Sequence, residues 1–152
     1  MTLLNLPPFE ARLQGPQDRR RIFDILRRRY VALTPEEWVR QNFIHYLTDH
    51  LNYPATLLAN EVKLQIGKKT LRADSVLYDT QLCPRIIIEY KAPHINITQR
   101  VFDQIVAYNM QLHVDYLIVS NGLSHFCCKI ADDGKNYLFI DHIPTYEEIL
   151  QK

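Results

Sequence analysis

Apolar and polar residues alternate along this chain in several distinct phases, and each phase predicts an element. From Glu61 to Ile66 the order Glu-Val-Lys-Leu-Gln-Ile alternates strictly, which predicts a strand with one wet and one dry face. Gly67-Lys68-Lys69 turns the chain, and Thr70 to Tyr78 reads as the returning strand of a hairpin. Arg85 to Lys91 (RIIIEYK) is a further strand, stopped by Pro93. Asp115 to Ser120 (DYLIVS) is almost continuously apolar, as expected of a strand covered on both faces. Asn121-Gly122 then turns the chain, and His125 to Ile130 with Asn136 to Ile140 form a second hairpin around Asp132-Asp133-Gly134.

Helical spacing predicts the rest. Residues 1 to 16, with Pro7, Pro8, Gly15 and Pro16, read as an extended arm. From Gln17 to about Val31, Ile22, Phe23, Ile25, Leu26 and Tyr30 recur at helical intervals while Arg19, Arg20, Arg21, Arg27, Arg28 and Arg29 crowd the remaining surface, predicting a basic helix. Thr34-Pro35-Glu36-Glu37 is a helix start, with Thr34 as N-cap, Pro35 in the first turn and Glu37 completing a capping box. That helix should reach about Leu51 and bury Val39, Phe43 and Leu47. Its period places Glu36 and Arg40 on the same inward stripe, so Glu36 is a candidate third acidic group for any site, whereas capping explains Glu37. Thr98 starts a helix to about Leu112 with Val101, Ile105, Tyr108 and Leu112 as its core stripe, and Thr145 with Glu148 starts a short terminal one. Gln104 beside that stripe requires a partner. The order predicts an α/β fold, a mixed β-sheet flanked by helices.

Composition narrows the class without naming a function. With 152 residues, 47% hydrophobic and 23% charged, the chain can bury a core without disulfides. It has no apolar run near the ~20 residues of a membrane span and no signal-like start, which predicts a cytoplasmic protein. Cys83, Cys127 and Cys128 make no zinc pattern and read as reduced thiols, and the histidines lack metal-ligand spacing. Four glycines and no phosphate-cradling loop argue against a Walker-type nucleotide site. Net charge is only +1, but residues 1 to 33 hold seven Arg against Glu10, Asp18 and Asp24, a weak pointer to nucleic acid.

The candidate chemistry lies between Leu71 and Ala92. Side chains alternate along a strand, so Glu89 and Lys91 project on one side and Ile86, Ile88 and Tyr90 on the other. Pairing with the strand before it can bring Asp74 beside Glu89. Two carboxylates about 4 Å apart repel by roughly 4 kcal/mol at an effective dielectric of 20, and a divalent cation relieves that cost. Mg²⁺, with Mn²⁺ as substitute, takes one or two protein carboxylates and keeps positions for water and phosphate oxygen. Asp74, Glu89 and the Tyr90 carbonyl can supply such a shell, with Lys91 orienting or deprotonating the attacking water. Glu61 is a further neighbour, better explained as a solvated strand carboxylate. A structural Glu-Lys pair on an edge strand explains the same residues, and so does a binding module without catalysis.

The ordered set of a helix with an acidic end, a hairpin with Asp74, Glu89-x-Lys91 and then Gln104-x-x-x-Tyr108 resembles the PD-(D/E)xK nuclease superfamily. More closely, PEEWVRQNFIHYL, RADSVLYD, IIIEYKAP, DQIVAYN and YLIVSNGL are similar to the N-terminal nuclease domain of type I restriction enzyme R subunits, over roughly residues 30 to 130. Ala73 stands where the superfamily's name has proline. The resemblance implies a restriction-endonuclease-like core and a Mg²⁺-dependent endodeoxyribonuclease. It makes Asp74 and Glu89 metal ligands and Lys91 the catalytic lysine. Gln104 and Tyr108 then brace the site or touch the substrate backbone. It further implies DNA as substrate and motor or specificity subunits as partners; cutting both strands with one site per chain calls for a homodimer or two separate events. Residues 1 to 33 are then an arm and basic helix, and 34 to 152 the nuclease-like domain.

Overall fold

The computed structural model describes residues 1–151. A mixed six-stranded sheet forms its centre, in the order β4 (Leu58–Ile66), β5 (Lys69–Tyr78), β6 (Pro84–Tyr90), β7 (Tyr116–Ser120), β8 (His125–Ile130) and β9 (Tyr137–Ile140). Only β6 and β7 run parallel, joined by a crossover through α2 (Gln99–Asn109). This agrees with the predicted mixed sheet, both hairpins and the buried strand, of which every residue from Tyr116 to Ser120 is buried.

The two faces of the sheet are covered by different helices. Val39, Phe43, Ile44 and Leu47 of α1 (Pro35–Asp49) pack with Ile86, Ile88, Tyr90 and Ile118, joined by Ile149 of the terminal α3 (Tyr146–Leu150). On the opposite face Phe102 and Val106 of α2 pack with Ala73, Val76, Ile87, Leu117 and Val119. Among the described residues no helix is long and apolar enough to cross a membrane.

Four local expectations are overturned. Residues 17 to 31 are not a basic helix. They form strands β2 (Arg21–Asp24) and β3 (Arg29–Ala32) of a small antiparallel sheet with β1 (Leu13–Gln14). Ile22 and Asp24 face inward, and Asp24 closes the turn by accepting from the N–H groups of Leu26 (2.8 Å) and Arg27 (3.1 Å). Thr34 does cap α1, accepting from the Glu37 N–H at 3.0 Å. The Glu37 carboxylate, however, completes no capping box: it is buried against Arg27, Arg40 and Gln41. Glu36 is exposed instead of inward-facing. Finally, α2 buries Phe102, Val106 and Asn109, so its phase is rotated by one residue, about 100°, from the expected stripe. Gln104 and Tyr108 consequently lie exposed, and the demand for a buried partner for Gln104 disappears.

Candidate active site

The site forms where the sheet forks. Strands β5 and β6 pair from Tyr78↔Pro84 to Ser75↔Ile88 and no further. Beyond that rung β5 stays with β4, while β6 continues beside β7 through Glu89↔Val119 and Tyr90↔Ser120. Asp74 stands at the branch point. Its carboxylate takes the rung that the backbone leaves open, with Oδ2 accepting the Tyr90 N–H at 2.9 Å. Opposite it, Glu61 adopts a left-handed conformation (φ 55°) between the pairs Asn60↔Ser75 and Val62↔Ala73, which breaks the β4–β5 ladder level with Asp74.

Glu89 and Lys91 leave β6 on the α2 side, as the alternation predicts, because Ile86, Ile88 and Tyr90 all pack toward α1. The Lys91 N–H donates to the Ser120 carbonyl (2.9 Å), which holds the residue after β6 against the end of β7. Glu89 Oε1 is buried and has no hydrogen-bond partner among the described residues. Burial and the adjacent Asp74 carboxylate push the Glu89 carboxyl up to about 9, against the opposing pull of Lys91 and Asn109. The two acidic groups thus share one low-dielectric space, beside one ammonium. A carboxylate oxygen without a donor and a second carboxylate next to it suit a hard divalent cation. Among the described residues, however, no group of three or more His, Cys, Asp and Glu side chains could hold a metal, so any remaining ligands must come from backbone, water or substrate.

The other expected residues are placed less centrally. Tyr108, at 44% exposure, accepts the Arg72 N–H through its hydroxyl (3.1 Å), two residues from Asp74 on β5. Gln104, one turn earlier, is exposed, and its side chain makes no hydrogen bond among the described residues. Glu61 is no free carboxylate: it accepts from Arg40 at 2.7 Å and lies 3.6 Å from Arg72.

Several supporting residues escaped the sequence reading. Arg40 donates to the Asp74 carbonyl (2.8 Å) and is itself held by Glu37 and Glu61. Burial alone lowers its pKa, but Glu37 and Glu61 outweigh that and raise it, so the guanidinium stays charged. A second buried relay runs from Asp24 to Asn60 (3.0 Å), on to Ser75 (2.6 Å), and to the Tyr90 hydroxyl (2.9 Å). Together these relays tie the amino-terminal sheet, α1, β4 and β5 to the two residues that carry the fork. Asn109 is buried near Glu89, with Nδ2 bonded to the Ile105 carbonyl (3.0 Å) and Oδ1 unpartnered. The sequence signals were the inward position of Arg40 and the asparagine ending DQIVAYN.

Two cavities, of about 410 and 610 Å³, lie elsewhere: Arg20, Trp38 and Pro93 help line the first, Tyr46, Phe126 and His142 the second.

A family model for the type I restriction enzyme R protein N terminus matches residues 35–144. Among solved structures, a fragment of a protein described as an HsdR subunit of a type I restriction enzyme from Vibrio vulnificus YJ016 is 16% identical. It has a TM-score of 0.54, with 78% of this chain and 25% of that chain covered. A DrdV–DNA complex solved by cryo-electron microscopy is 17% identical with a TM-score of 0.46, covering 77% of this chain and 11% of that one. The chain therefore spans about a quarter of the first protein's length. A search of curated proteins returned no match.

Proposed function

Given that the chain belongs to the type I restriction enzyme R protein N-terminal family, we propose that it is a metal-dependent endonuclease domain that hydrolyses DNA phosphodiester bonds. Asp74, Glu89 and the Tyr90 carbonyl would hold Mg²⁺ or Mn²⁺, with Lys91 as the catalytic lysine. When bound, the ion supplies positive charge for the phosphorane-like transition state and acidifies water. The chain's own groups do the rest. Arg40 fixes the Asp74 main chain from behind, and the Tyr90 N–H fixes its carboxylate. Lys91 places an ammonium beside the attacked phosphate and orients the attacking water. Tyr108 anchors β5 next to the site, and Gln104 offers an exposed amide to the substrate backbone. Motor and specificity subunits are the partners within a larger enzyme.

The observation that carries this reading is the buried, donorless Glu89 oxygen facing a second carboxylate. Buried acids of one sign are destabilising unless a ligand relieves them, and they mark functional sites more often than structural ones. The lack of a third acidic side chain among the described residues favours a second reading, a non-catalytic DNA- or partner-binding module on the same fold.

Plasmid nicking in Mg²⁺ or Mn²⁺ separates the two. Wild type is expected to nick, with Asp74→Ala and Lys91→Ala each slower by about 100-fold or more and still folded. Calorimetric titration of Mn²⁺ should lose its heat in Asp74→Ala. DNA retention by a wild type that nicks with neither ion would leave only the binding module.

A further inference from the structure

We propose that the β4–β5 hairpin beyond the fork, residues 62 to 73, is a basic ribbon that lies in a groove of double-stranded DNA next to the cleavage site. This rests on the nuclease reading above and adds the surface that holds the duplex. Past Ser75↔Ile88 the two strands pair only with each other, from Val62↔Ala73 to Ile66↔Lys69. One face of this ribbon is apolar and already used: Val62, Leu64 and Ala73 pack in the α2 cluster with Phe102 and Val106. The other face carries Lys63, Gln65, Thr70 and Arg72, all exposed, and Lys68 with Lys69 occupy the turn.

Three features point this face at a polyanion. The segment holds four cations and no acidic residue, which leaves −3 for the rest of a chain whose net charge is +1. Lys63 and Arg72 are direct cross-strand partners, a like-charge arrangement that destabilises a hairpin and that Glu61, 3.6 Å from Arg72, relieves on one side only. The polar face is also fixed in advance, with the Thr70 hydroxyl donating to Gln65 Oε1 (2.8 Å) and the Gln65 amide donating to the Gly67 carbonyl (3.2 Å). A two-stranded ribbon fits the major groove of B-form DNA. From Asp74 to the turn is five or six residues, about 17–20 Å, so the ribbon spans about five base pairs from the fork. Because it is continuous with the strand that carries Asp74, docking it sets the distance between duplex and site.

The test is fluorescence anisotropy of a short labelled DNA duplex in EDTA across a salt series. Lys63→Gln/Lys68→Gln/Lys69→Gln should bind at least about tenfold more weakly, with a salt slope shallower by about 2.7 for three lost phosphate contacts. Lys68→Gln/Lys69→Gln, confined to the turn, should show about two-thirds of that slope change and guards against misfolding of the triple variant. Lys129→Gln/Lys135→Gln, which removes exposed charge at the far side of the sheet, should bind like wild type. Wild-type affinity and slope in the turn variant overturn the proposal, as does an equal loss in the far-side variant or no duplex binding by wild type at low salt. Binding in EDTA is blind to cleavage, so failure of wild type to nick leaves this result standing, and ribbon-independent binding leaves the nuclease reading standing.

Discussion

Asp24 and Glu89 are both carboxylates inside the same molecule, and their surroundings drive them in opposite directions. Asp24 is fully buried, yet its carboxyl is held below the ordinary value. Burial raises it most, but Asn60, Arg27 and the backbone N–H groups of Arg27 and Leu26 together outweigh burial. Glu89 is pushed up to about 9, because burial and Asp74 act together while one of its oxygens has no donor among the described residues. Burial opposes the charge at both carboxyls, and at Asp24 alone do the donors around it outweigh burial. On the α1 side of the fork the charged groups Asp24, Arg27, Glu37 and Arg40 are all paired, although Gln41 Oε1 beside Glu37 is buried without a partner among the described residues. The α2 side is left unfinished, and an unfinished acidic site is where a ligand gains most by binding.

The largest effect should come from breaking the paired side. Glu37 pairs with Arg40 and Arg27 through three charged hydrogen bonds of 2.8 to 3.0 Å, and its side chain is 7% exposed. Glu37→Ala takes one carboxylate partner from the buried Arg40 and the half-buried Arg27, which keep Glu61 and Asp24, so chemical denaturation should show a loss of about 3 kcal/mol. A loss no larger than that of a surface substitution would remove the distinction between the two sides.

Substitution on the unfinished side should act with the opposite sign. In metal-free buffer the unfolded chain ionises Glu89 near its ordinary 4.5 while the folded chain keeps its proton until about 9. Folded protein thus binds more protons across that window, and stability falls as pH rises through it. Glu89→Gln removes this slope and should raise stability by about 1–3 kcal/mol at pH 7, with the gain vanishing toward pH 4. Asp24 contributes the reverse: stability present above its unfolded value and lost as pH falls through its lower folded one. Thermal melts of both proteins in EDTA from pH 4 to pH 8 check the contrast. Equal pH slopes would show that Glu89 is not the strained group.

What could be read from sequence follows the same divide. The β4–β5 and β8–β9 hairpins and the Thr34 cap were legible because each rests on local periodicity or a local hydrogen bond. The amino-terminal sheet was not. Arginine and leucine favour a helix, but Asp24 closes a turn on its own backbone and is drawn inward by Asn60, 36 positions away. In α2 the apolar stripe through Val101 and Ile105 is more uniform than the true inward face, which ends in Asn109. A buried asparagine looks like a surface residue until its neighbour Glu89 is known. The supporting network was invisible for the same reason: Arg40 meets Asp74 across 34 residues of sequence.

The smallest effect should belong to Tyr108, which lies between the two regimes. Its hydroxyl accepts the Arg72 N–H at 3.1 Å but is itself 44% exposed, so water can replace much of that bond. Tyr108→Phe should therefore cost about 0.5–1 kcal/mol of stability and leave nicking within about fivefold of wild type if the residue only anchors β5. Measured side by side, a small parallel drop in melting temperature and nicking keeps Tyr108 as an anchor of the strand that carries Asp74. A nicking loss of about 100-fold at an unchanged melting temperature would move its hydroxyl from the scaffold to the substrate, and would place the exposed side of α2 within the unfinished half of the site.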